Sequence, residues 1–102
     1  MTSPDWSETD AFRDEHERLR AAADHVARAV AELTHALSQV GDHASAVALG
    51  ESIESLQLTQ AQLAAAAERA YSMGQLAARR ARHAAFQRQV DQATAPGNDA
   101  PG

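Results

Sequence analysis

The chain has 102 residues, about a quarter of them alanine, with only four aromatic residues, no cysteine and a net charge of −5. This excludes a disulfide framework or a thiolate site, and no stretch approaches the ~20 apolar residues of a membrane span. One small domain is expected, and its alanines favour helix while adding little area to a core.

The charge is unevenly spread. Residues 1–24 hold seven acids against Arg13, Arg18 and Arg20, a net −4, whereas residues 76–92 hold Arg79, Arg80, Arg82 and Arg88 against Asp91, a net +3. An acidic start and a basic finish invite attraction, within one chain or between chains.

The first predicted element opens at "SPDW", where Ser3 is a candidate N-cap with Pro4 following it, and Ser7 is a second candidate cap. From there Phe12, Leu19, Val26, Leu33 and Val40 recur every seven residues, interleaved by His16, Ala23, Val30 and Leu37. That alternating spacing is the seam of an amphipathic helix, and Ala22, Ala29 and Ala36 widen it to the breadth a bundle needs. Helix one is placed over about 7–40. Gly41, free to adopt the left-handed conformation, ends it, and Asp42 caps the next helix. A competing turn lies at Gly50, with Ser52 as cap.

Helix two is placed over about 43–93, because Ala46, Leu49, Ile53, Leu56, Gln60, Leu63, Ala67, Ala70, Gly74, Ala77, Ala81 and Ala84 form one unbroken series. Residues 1–6 form an N-terminal arm, and 94–102 ("TAPGNDAPG") have the composition of a disordered end. The fold class expected is all-α: an antiparallel hairpin of two long helices, assembling into a four-helix bundle or a larger helical oligomer. Its core of self-association is Phe12, Leu19, Val26, Leu33, Val40, Ile53, Leu56 and Leu63.

A turn at Gly41–Asp42 sets Phe12 opposite Tyr71. Residues from Leu76 onward then project beyond helix one, over about 25 Å. There the seam positions shrink to alanine and glycine, while Leu76, Phe86 and Val90 share another stripe with Arg79 and His83. A helix with two stripes needs two partners, and the second is most simply another copy of the chain, giving a homodimer or higher homo-oligomer. Leu76, Arg79, Arg80, Arg82, His83, Phe86 and Val90 are the expected partner-binding residues, and a protein the expected partner.

Other chemistry finds less support. Glu32 and His35 have the Glu-x-x-His spacing of di-iron bundles, but the seam phase puts both on the outer face with His25, and no second such pair follows. No metal or other cofactor is therefore expected. Only His16 falls in the seam, where partial burial accounts for it; were it buried in an assembly, assembly would respond to pH. "RRARH" can attract phosphate, though the chain is acidic and few aromatics are at hand to stack on bases. No phosphate loop, nucleophile elbow or HExxH is present, so no enzymatic activity is expected.

About 100 residues, two long helices, no cysteine and no N-terminal apolar run resemble the small helical hairpin proteins of type VII secretion (WXG100-like). That resemblance implies export without a cleavable signal peptide. Here Trp6 stands at the N-terminus, away from the turn, and Tyr71-Ser-Met-Gly-Gln75 ends in Gln where that family's export signal has Asp or Glu. The principal expectation is a cytoplasmic, non-enzymatic adaptor, scaffold subunit or small regulator. It would self-associate and dock a partner through the C-terminal part of helix two, with no membrane involvement; the alternatives are the secreted hairpin and a nucleic-acid-associated protein using the Arg79–Arg88 patch.

Overall fold

The structure is a computed structural model that describes residues 6–94. It is an antiparallel hairpin of two helices, α1 (Ser7–Leu37) and α2 (His43–Thr94), packed along each other. The turn lies at 38–42, and Gly50 is an interior residue of α2.

Helix α1 starts one residue before the acids of its first turn, Glu8 and Asp10, which suit the positive end of the helix dipole. Ser7 is its first helical residue rather than its cap; Trp6 holds the cap position with no side-chain cap bond, and the Trp6 carbonyl accepts from Asp10 N–H at 2.9 Å. Ser3 and Pro4 lie outside the described residues. At the other end α1 stops at Leu37, three residues short of the expected boundary. Gln39 N–H and Val40 N–H reach back only three residues, to Ala36 O and Leu37 O, so the last turn tightens instead of continuing. Gly41 does not take the left-handed conformation expected of it, since no described glycine has a positive φ. A tightened turn satisfies the terminal carbonyls without one.

Asp42 caps α2. Its carboxylate accepts from Ser45 N–H and from the Ser45 hydroxyl, both at 2.8 Å. Those two bonds, the backbone one first, hold its carboxyl below the ordinary carboxylate range. From His43 the helix runs 52 residues to Thr94, about 78 Å, so Thr94, placed in the tail, is helical, and the rest of the expected tail lies outside the described residues.

The seam is thin. Among the described residues the buried ones are Ala23, Ile53, Ala67, Ala70, Ala77 and Ala81. All occupy the seam positions that the seven-residue spacing assigns. Ile53 is the one large side chain in that set. Phe12, Leu19, Val26, Leu33, Val40, Leu56 and Leu63 line the same seam but stay half-exposed, because two helices cover each other along one strip and leave both flanks open.

Two contacts lock the register. An added Cβ at Gly74 would lie 3.3 Å from Phe12 Cβ, so glycine permits the close approach of the two backbones there. One helical turn along, His16 Nδ1–H donates to Ala67 O at 2.9 Å, and the His16 and Tyr71 rings lie 5.5 Å apart, tilted by 52°. Phe12 thus faces Gly74, not Tyr71. Residues 38–42 are not a two-residue reversal; they carry the chain onward before α2 descends, which slides α2 along α1.

Candidate interaction surface

The slide shortens the projecting part of α2. Ala77 and Ala81 are still buried, at 3% and 8% exposure, and Arg80 reaches Glu8 of α1 at 3.8 Å. The projection therefore begins at Arg82, not Leu76, and spans the 13 residues to Thr94, about 20 Å. The Arg80–Glu8 pair joins the basic and acidic ends within one chain; both partners are exposed, so it contributes about 0–1 kcal/mol.

Heptad positions define the faces of α2. With Ile53, Ala67, Gly74 and Ala81 at a and Leu56, Leu63, Ala70 and Ala77 at d, the seam faces α1. The f positions, directly opposite, then include Glu51, Leu58, Ala65, Ser72, Arg79 and Phe86. Leu76, His83 and Val90 fall at c on one edge of that outer face. Glu54, Ala61, Glu68 and Arg82 fall at b on the other. Every one of these residues is exposed, and the large apolar ones are prominently so: Leu58 and Phe86 at 61%, Leu76 at 42% and Val90 at 37%.

Of the seven residues expected to bind a partner, the fold brings Leu76, Arg79, His83, Phe86 and Val90 together on this outer face. Arg82 stands on its edge, and Arg80 is turned towards α1 by Glu8. Leu76 belongs to the part of α2 that α1 accompanies, yet it points away from α1, so the shift in register leaves its exposure intact.

A second pattern on the same face emerges from the heptad positions and not from the arginine cluster alone. On this face residues 43–68 carry Glu51, Glu54 and Glu68 and no arginine, whereas 69–94 carry Arg69, Arg79 and Arg82 and no acid; Arg80, Arg88 and Asp91 fall on the seam side. The face is acidic in its first half and basic in its second. Summing charge over each whole end of the chain hides this, because it takes the acids from α1.

The remaining candidates do not converge. Glu32, His35 and His25 are exposed on the outer side of α1, and no group of three or more potential metal ligands occurs among the described residues. A shallow groove beside the seam is lined by His16, Arg20, Asp24, Gln60 and Tyr71, with His16 already engaged by Ala67 O. A carbonyl can only accept, so Nδ1 is the donor in this bond. No helix is long and apolar enough to cross a membrane among the described residues. No known family, curated protein or solved structure matches the chain.

Proposed function

We propose that the protein is a non-enzymatic helical interaction module, an adaptor, scaffold subunit or small regulator, that self-associates and docks a protein partner through the outer face of the C-terminal part of α2. One observation carries this reading: Leu76, Phe86 and Val90 are exposed in line on the side of α2 that faces away from α1. Scattered exposed apolar residues are ordinary, but a stripe of them at helical spacing, edged by arginines, has the form of a helix-docking surface. The thin seam supports the same reading, since a two-helix core this small gains stability from further burial.

Placing a photo-crosslinking residue at Phe86, and separately at Glu32 on the outer side of α1, tests it in the native cell. Adducts to another polypeptide from position 86 and none from 32 are expected. Equal labelling from both sites, or none from either, contradicts docking by this face.

The exposed arginines of residues 79–82 favour a second reading, binding to nucleic acid through phosphate contacts. Retention on DNA that falls steeply as salt rises would support it. Retention unchanged on replacing Arg79 and Arg82 by glutamine would count against it.

A further inference from the structure

Building on the docking reading, we infer that the occupant of the outer face of α2 is the same face of a second copy, lying antiparallel about Ser72. Spacing is the first support. Leu58 and Phe86 lie fourteen residues on either side of Ser72, and Ala65 and Arg79 lie seven on either side. All five are at the position opposite the seam. A two-fold axis at Ser72 therefore sets Leu58 of each copy against Phe86 of the other, and these are two of the most exposed large apolar side chains on the chain.

Size is the second. The same axis lays the long Arg79 side chain over Ala65, where a small residue leaves room for its stem and Glu68 stands one turn away for its charge. Charge is the third. Antiparallel pairing brings the acidic half of each face against the basic half of the other, with Arg82 of one copy on the edge between Glu54 and Glu68 of its mate. Parallel pairing would stack arginine on arginine. The outer side of α1 is a poorer occupant: Asp10, Asp14 and Glu17 supply charge there, but no large apolar side chain to cover Phe86. The overlap runs over residues 50–94, about 66 Å of helix, enough length for an interface of ordinary size. The result is a flat array of four helices, with the two α2 helices at its centre.

The chain has no cysteine, so single replacements report the geometry. Ser72→Cys is expected to form a disulfide-linked dimer under mild oxidation, because the two-fold axis brings the two positions together. Ala65→Cys is expected to form no disulfide cross-link, its two copies being about 21 Å apart along the helix axis. Adding Phe86→Glu to Ser72→Cys should abolish the cross-link while leaving the helix content by circular dichroism unchanged. Efficient cross-linking by both cysteine variants overturns the antiparallel register. No cross-link from Ser72→Cys overturns the second copy as occupant, and if the position-86 crosslinker still labels a foreign polypeptide, the docking reading stands without it.

Discussion

Glycines at positions 50 and 74 sit on the same helix and do different work. At Gly50 an added Cβ meets nothing within 4 Å, so glycine there only weakens the helix. Gly50→Ala should stabilise the protein by about 1 kcal/mol, the propensity difference between the two residues. At Gly74 the added Cβ presses on Phe12 Cβ at 3.3 Å. Because that atom is fixed to the α1 backbone, relief requires the helices to move apart. Gly74→Ala should therefore lose the gain seen at position 50, and thermal melts of the two variants side by side decide the matter: equal increases would mean that the close approach at Phe12 is not a constraint.

Asp42 has a pH signature of its own. Its folded carboxyl titrates below its ordinary value of 3.8 because the Ser45 N–H and hydroxyl bind the charged form. The stabilisation is thus complete above that ordinary value and is lost as the pH falls through the lower, folded one. Asp42→Ala should lower the melting temperature at neutral pH. Asp42→Asn should keep an acceptor for Ser45 N–H, and with it most of the neutral-pH stability, but without this acid-dependent component. Melts across the acid range check both, and a neutral-pH melt unchanged in Asp42→Ala would remove the cap from the explanation of where α2 begins.

At the scale of the helices, the hairpin depends on few large side chains. Ile53 is 8% exposed, and Ile53→Ala should cost about 2–4 kcal/mol, a large share of what so small a core can supply. Truncation separates seam from projection. A chain ending after Ala81 keeps every buried alanine and the Arg80–Glu8 pair and should melt close to the full chain when both are dilute. A chain ending after Gln75 loses Ala77, Ala81 and that pair, and should melt lower. Identical melts for the two truncations would move the end of the seam back to the position implied by a turn of two residues.

The two helices and their faces are legible in the sequence because heptad spacing fixes which side of a helix is apolar. The turn is legible only as a choice between Gly41 and Gly50, because Ala44 and Val47 continue the spacing of α1, and the Asp42 cap on Ser45 marks where α2 begins. The axial register is not legible. Spacing determines a face, not how far one helix slides along the other, and the slide is settled by the close approach of Gly74 to Phe12 and by the path of residues 38–42. Hence Leu76, Phe86 and Val90 are identified correctly as sharing an exposed stripe, while the start of the projection moves from Leu76 to Arg82. Leu58, exposed at the far end of the same stripe, is placed there by the same spacing, four heptads before Phe86.

For the whole molecule, the hairpin is a rod with one well-formed strip of contact and a second strip turned outwards. Such an object gains stability by association, and association makes the melting temperature depend on protein concentration. The measurement that bears most directly on this is molecular mass by sedimentation equilibrium, for the full chain and for Phe86→Glu. Self-pairing through α2 predicts twice 10.8 kDa for the full chain at micromolar concentration and 10.8 kDa for the variant, with the same helix content in both. A full chain that stays at 10.8 kDa throughout that range, or a variant as dimeric as its parent, would contradict it.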